Sequence, residues 1–260
     1  MSASPRPASR SSRAAPAWRA TLAQTGMELR LTSRRGENLL VTLVIPVVTL
    51  AFFASVPVLS AGTDRPVDFL LPGVLALAVI STSLVNLGIA TAYERSYGVL
   101  KRLGGSPLPR AGLIAAKMLA VLVVEALQVI LLVAIAVLGF GWTPGPGANL
   151  ALALAAILLG TLAFAGIGLA MAGALRAEAT LAGANALFLA LLLLGGIVLP
   201  LDHLPAALEA LARILPASAL SDTLRIGLGG QPGEAGGTLA LLAAWGLGAS
   251  AIAARTFRWE

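Results

Sequence analysis

Six long apolar stretches, parted by short polar interruptions, organise this chain: Leu39–Leu59, Phe69–Ala92, Leu113–Phe140, Asn149–Leu175, Thr180–Leu199 and Gly236–Ala254. A helix of about 20 apolar residues crosses a bilayer core about 30 Å thick. Each stretch meets that length, so the pattern predicts an all-α integral membrane protein with six transmembrane helices. The third and fourth are longer than needed and tilt or project into the interface. Only "RAEA" parts the fourth from the fifth, which predicts a tight helical hairpin.

The polar segments carry their own patterns. Trp18, Leu22, Thr25 and Leu29 recur at i, i+4, i+7 and i+11, a narrow and mostly apolar stripe with Arg19, Arg30 and Arg34 to one side. Such a stripe predicts an interfacial helix over residues 17–38, with Trp18, Leu22 and Leu29 at the acyl boundary and arginines at anionic headgroups. Residues 1–16, rich in Arg, Ser and Pro, read as a disordered cytoplasmic tail. No apolar segment follows closely enough for a secretory signal, so the first span is the expected insertion signal. Between spans two and three, "YERSYGVLKRLGGSPLPR" (Tyr93–Arg110) has the layout of a short amphipathic helix. Val99, Leu100 and Leu103 share a face beside Lys101 and Arg102, and Gly104–Gly105 with a Ser-Pro turn end it. A merely solvated loop has little reason to keep an apolar stripe, whereas a surface that docks on another protein does. The segment Leu201–Ala235 is too polar and too broken by Pro and Gly to span. Within it, Pro205–Leu215 predicts a short amphipathic helix with Leu208, Leu211 and Leu215 on one side, which reads from the residues as an interfacial cap on the bundle.

Composition narrows the class. Of 260 residues, 58% are hydrophobic and only 12% charged, about half the charge of an ordinary soluble domain. The chain is therefore one membrane domain, residues 39–260, behind the interfacial segment. Cysteine is absent and His203 is the lone histidine, which excludes disulfides, thiolate metal sites and His-paired zinc; His203 is assigned to the surface. The richness in Ala, Gly, Leu and Arg fits a GC-rich bacterial genome.

Charge then sets topology. Arg6, Arg10, Arg13, Arg19, Arg30, Arg34 and Arg35 precede the first span; Arg95, Lys101, Arg102 and Arg110 fill the second polar interruption; Arg176, Arg255 and Arg258 complete that side. The opposite side has Arg65, Arg213 and Arg225. The positive side faces the cytoplasm, so both termini are expected there, as an even span count requires. The same rule supplies a plainer account of the basic loop, as a topology determinant and nothing more.

Candidate chemistry is sparse. There is no G-x-x-x-x-G-K-[ST] phosphate cradle and no H-E-x-x-H, so any ATP-driven work needs a partner that hydrolyses the nucleotide. Glu125, with Gln128 nearby, falls inside the third span. A carboxylate at that depth faces the bundle interior or a wet cavity, and it either lines a substrate pathway or gate or serves helix packing. Asn86 and Asn185 are candidates for hydrogen bonds across helices. Gly166, Gly168 and Gly173 mark places where helices approach closely, within the chain or between copies.

The motifs carry a resemblance. "YERSYGVLKRLGGSPLPRAGLIAAKML" resembles the cytoplasmic loop of ABC-2-type transporter permeases, where E-R-x-x-G-[TS]-L-K-R-L precedes a Thr/Ser-Pro-L-P turn; Val99 stands where Thr or Ser is usual, and Gly104–Gly105 replace a more helical pair. "SRRGENLLVTLVIPVVTLAFF" is similar to the entry into that family's first span. "LDHLPAALEALARILPASALSDTLRIGL" resembles its external segment, with Leu215–Pro216 where Asn-Pro is frequent. "RTFRWE" is similar to the ending of actinobacterial members, and the drug-resistance, daunorubicin-type branch is the one suggested.

What the resemblance implies goes further than the residues do. It implies that Glu94, Arg95, Gly98, Val99, Leu100, Lys101, Arg102 and Leu103 form a coupling helix seated on an ATPase, with the interfacial helix beside it. It implies two cytoplasmic ABC ATPase subunits and a second permease protomer, identical or homologous, in a bacterial plasma membrane. ATP and Mg2+ would bind the partner subunit and no cofactor this chain; membrane lipid is a further partner and nucleic acid is not. The function implied is the permease of an ABC exporter moving a hydrophobic or amphipathic compound, a drug or natural product, outward. A lipid or glycan-precursor exporter and a non-transport membrane scaffold are the alternatives. An intramembrane enzyme is disfavoured because no nucleophile–base or metal constellation is visible.

Overall fold

The computed structural model describes residues 16–34, 36–55, 66–105, 108–198 and 200–256, and every regular element among them is helical. In chain order these are α1 (Ala17–Arg34), α2 (Gly36–Ser55), α3 (Pro66–Ile80), α4 (Leu87–Ser96), α5 (Val99–Gly104), α6 (Arg110–Phe140), α7 (Leu150–Ala174), α8 (Ala177–Leu194), α9 (Ala206–Ala212), α10 (Pro216–Gly227) and α11 (Gly236–Thr256). A π-helical turn, Ser81–Asn86, joins α3 to α4, so Pro66–Ser96 is one helical run.

Among the described residues five helices are long and apolar enough to cross a membrane: Pro66–Ser96, Arg110–Phe140, Leu150–Ala174, Ala177–Leu194 and Gly236–Thr256. They coincide with the second to sixth stretches of the hydropathy pattern. The first stretch is different. Its helix is apolar over Leu40–Ser55, shorter than the other five, and residues 56–59 of the expected span lie outside the described residues. The helix of the fifth stretch, α8, also stops early, at Leu194 rather than 199, because Gly195 and Gly196 follow and Gly196 turns left-handed at φ +63°. Residues 1–15 of the expected tail, 1–16, and residues 257–260 lie outside the described residues.

Burial ranks these helices. The Pro66–Ser96 run is 83% buried over its most apolar window, against 33% for α6 and 22% each for α8 and α11. It is therefore the central member, and the others turn Ile130, Leu138, Leu193 and Leu247 outward. At 1.5 Å per residue α6 measures about 46 Å, enough to leave a bilayer core and carry its first turns into the interface.

Small residues set the crossings. A Cβ on Gly166 would lie 2.8 Å from both Ala249 Cβ and the Ser250 amide of α11, and one on Gly168 would lie 2.7 Å from the Leu84 carbonyl of the π turn. Both glycines thus serve contacts within the chain. Polar bonds pin the same interior: Asn86 Nδ2 donates to Thr42 Oγ1 of α2 at 2.8 Å. Asn185 bonds within its own helix, its amide donating to the Leu181 carbonyl one turn earlier in α8.

The far end of the bundle departs most from expectation. The helix expected over Pro205–Leu215 is α9, which turns Leu208 and Leu211 outward and buries Ala212, while Leu215 packs on the core. Beyond it α10, opened by Pro216 at its first turn, is buried along nearly its whole length against α3, α7 and α11. Polar residues kept it from reading as core, yet Ser218, Ser221, Thr223 and Arg225 are all buried and hydrogen-bonded there.

Candidate functional site

The segment between the second and third expected spans folds as two helices joined by a bend. Glu94 and Arg95 belong to the last turn of α4. The amide of Gly98 donates to the Arg95 carbonyl at 3.0 Å. Gly98 is left-handed (φ 70°, ψ 14°) and opens α5, a conformation that Cβ-bearing residues disfavour. The coupling segment expected from Glu94 to Leu103 is therefore a bent pair, with only Val99–Gly104 in the short helix.

The faces of α5 are also distributed differently from a docking stripe. Leu100 is 1% exposed and packs with Leu108 and Leu113, with Ala20 of α1 and Leu103 against them. The chain itself covers most of the apolar stripe. Val99 is 40% and Tyr97 73% exposed, and Lys101 and Arg102 are exposed beside them. The face available to another protein is thus mixed, basic and aromatic, and Leu100 with Leu103 supports it from below.

Glu94 and Arg95 are tied to the scaffold. Lys117 of α6, 2% exposed, places Nζ 2.6 Å from Glu94 Oε2 and 3.1 Å from Glu28 Oε1 of α1. Gln24 Nε2 donates to the same Glu28 oxygen at 2.9 Å. Arg95 reaches the other way: Nη1 donates to the Gly173 carbonyl at 2.5 Å and Nη2 to the Leu175 carbonyl. These are orphan acceptors at the C-terminal end of α7, where a cation also meets the negative end of the helix dipole. The planar guanidinium fork serves two carbonyls at once. Arg95→Met is expected to lower the melting temperature of the purified chain by an amount equivalent to about 1–2 kcal/mol, with Arg95→Lys intermediate; equal melting of all three would contradict this role. Between Arg95–Ser96 and the α7–α8 turn lies an open groove of about 470 Å3, also lined by Arg176 and Glu178.

α1 lies along the start of α6, with Thr25 buried and Leu29 half-buried. Trp18 and Leu22, of the expected interfacial stripe, are 59% and 54% exposed, and the Arg19 guanidinium stands 5.2 Å from the Trp18 ring.

Glu125 and Gln128 are both buried, but they face different neighbours. Glu125 Oε2 accepts from Thr161 Oγ1 of α7 at 2.6 Å, and its Oε1 has no hydrogen-bond partner among the described residues. Gln128 accepts from Thr82 Oγ1 of the π turn at 2.8 Å and donates to the Thr42 carbonyl of α2 at 3.0 Å. Gln128 thus ties three helices together. Among the described residues no group of three or more His, Cys, Asp or Glu is arranged to hold a metal ion.

Sequence reasoning missed two groups. Lys117 stands at the entrance to the third apolar stretch, and the signal there is that a lone cation entering an apolar helix needs an anionic partner. Arg225 was counted as an external charge. It is 3% exposed: Nη2 donates to the Gly196 carbonyl, Nη1 lies 3.1 Å from Asp222 Oδ1 and 3.4 Å from Ser221 Oγ, and the guanidinium stands 4.1 Å over the Phe69 ring. In this segment between candidate spans, burial pushes the Arg225 pKa down and the Asp222 pKa up, and each charge opposes the other's shift. The Asp-x-x-Arg spacing was the available signal, since i and i+3 meet on a helix face.

Known sequences agree with this architecture. Residues 20–228 match the family described as ABC-2 type transporter, a stretch running from α1 through α10. The chain is also similar to a Bacillus subtilis (strain 168) protein named "Putative transport permease YvfS", 26% identical over 203 residues that cover 75% of this chain and 79% of that protein. A family match over most of the chain, on a multi-pass helical bundle, carries the assignment. The chain belongs to the ABC-2 type transporter family.

Proposed function

We propose that this chain is the transmembrane permease subunit of an ATP-driven exporter in a bacterial plasma membrane. A hydrophobic or amphipathic compound, a drug or natural product, moves outward between two six-helix protomers, with α2 supplying the first span. Both termini and α5 lie on the cytoplasmic side, and two ATPase subunits bind ATP and Mg2+ there. The observation that carries this reading is α5 itself: buried Leu100 fixes it to the bundle while Tyr97, Val99, Lys101 and Arg102 stay exposed. A short helix held rigidly from beneath, with a basic and aromatic outer face, is suited to receive force from an acidic groove on a partner. The outward apolar residues of α6, α8 and α11 fit lipid and a second protomer.

Inside-out vesicles containing this chain and its ATPase test the reading, with an intrinsically fluorescent anthracycline as probe. The expected result is ATP-dependent accumulation that needs both proteins. ATP hydrolysis that depends on this chain without anthracycline uptake would overturn the drug reading and favour a lipid or glycan precursor. Hydrolysis independent of this chain would overturn the transporter reading altogether.

A further inference from the structure

We infer that Lys117 is a positioning residue: by pairing with Glu28 of α1 and Glu94 of α4 it makes the surface helix and the bend into α5 move as one body. The effect on ATP turnover rests on the function proposed above; the mechanical link is a property of this chain alone.

The argument begins with how α1 is held. Its large apolar residues Trp18, Leu22, Met27 and Leu31 are all exposed. Beside half-buried Leu29, what turns inward is small or polar: Ala20 against the Leu100 cluster, Thr25, and Glu28. A Cβ on Gly112 would come within 3.0 Å of Thr21 Oγ1, so α1 approaches α6 closely. Little apolar area is buried to hold its direction, since burial stabilises in proportion to apolar surface removed from water. The ion group is the contact that specifies orientation. Lys117 is 2% exposed, and its partners Glu28 and Glu94 are 13% and 14% exposed. In so dry a place a charge interaction is screened little, and one ammonium bridges two carboxylates. Without it the two carboxylates lose the cation they share, and with it the ionic link between α1 and α4. Glu94 stands four residues before Gly98, so any tilt of α1 carried through Lys117 reaches the bend that aims α5.

The chain has no cysteine, which permits a direct distance test. Met27 and Tyr97, both exposed, are replaced by Cys and spin-labelled in the purified full chain. The parent should give one narrow distance distribution, and Lys117→Met should broaden it about twofold. Lys117→Arg should restore it. Adding Glu28→Gln to Lys117→Met should broaden it no further, because both act on one link. A Lys117→Met distribution as narrow as the parent's, or a Lys117→Arg distribution as broad as that of Lys117→Met, overturns the inference. If Lys117→Met yields no folded protein, Glu28→Gln, which keeps the Lys117–Glu94 pair, takes its place with the same criterion.

The second readout uses the complex with its ATPase, normalised to copurified subunit. Lys117→Met should lower the kcat for ATP about fivefold while KM for ATP stays within about twofold, and Lys117→Arg should recover it. An unchanged kcat overturns the coupling role. If the parent captures no ATPase, the proposed function fails, and the distance measurement still decides the link.

Discussion

Leu100→Asp is expected to unfold the junction of α1, α5 and α6, whereas Val99→Asp, one residue earlier, leaves it folded. Leu100 is 1% exposed within the cluster of Leu108 and Leu113, with Ala20 and Leu103 against it. Removing a buried leucine forfeits about 2–5 kcal/mol through lost transfer energy and cavity formation. An unpaired carboxylate in the same place adds several kcal/mol unless it protonates. Val99 is 40% exposed, and a substitution there costs about 1 kcal/mol or less. In mild detergent the first variant should lose much of its melting temperature and expose α1 to protease, and the second should melt close to the parent. Equal shifts for the two would mean that α5 sits otherwise than described.

Arg225→Met should be nearly as damaging, at the opposite end of the bundle. The arginine serves the Gly196 carbonyl, the Ser221 hydroxyl and the Asp222 carboxylate, and covers the Phe69 ring. Breaking a buried ion pair from one side costs about 3–5 kcal/mol, because the remaining charge is left without compensation. Asp222 is 35% exposed, so solvent relieves part of this and the expected loss lies near the lower figure. Lys in place of Arg225 should recover only part of it, since an ammonium cannot fork between carbonyl and carboxylate. Arg225→Met combined with Asp222→Asn should melt above Arg225→Met alone, the non-additivity that marks a direct pair. A double variant that melts below both singles would contradict the pairing.

Hydropathy made the bundle legible and left the faces of its helices illegible. An apolar residue in a membrane protein has two apolar destinations, the core and the lipid. Leu100 and Val99 look alike in sequence, although one is buried and the other exposed. For the same reason the stripe on α5 read as a docking surface, when most of it is covered by the chain's own Ala20, Leu108 and Leu113. Polar residues misled in the opposite direction. Ser218, Asp222, Thr223 and Arg225 made α10 look external, but they bond to one another, to backbone carbonyls and to Thr238, so a helix that carries them packs deep. The π turn at Ser81–Asn86 has no periodic signature, yet it directs Thr82 toward Gln128 and Asn86 toward Thr42. The link of Lys117 to Glu28 and Glu94 joins residues far apart in the chain, and spacing along one helix cannot reveal it. By contrast, Arg95 and Glu94 were found as a motif; the structure supplies the α7 carbonyls and the lysine that they hold.

Capture of an ATPase by the tagged chain from its native host tests the central claim most directly, with the outer face of α5 altered by Val99→Asp and Arg102→Glu. These exposed positions can change without disturbing the Leu100 cluster. The account predicts that the parent brings down a soluble ATPase and that the variant, equally abundant and melting close to the parent, does not. An ATPase retained by the variant would place the contact elsewhere on the chain. No ATPase captured by the folded, abundant parent would contradict the account.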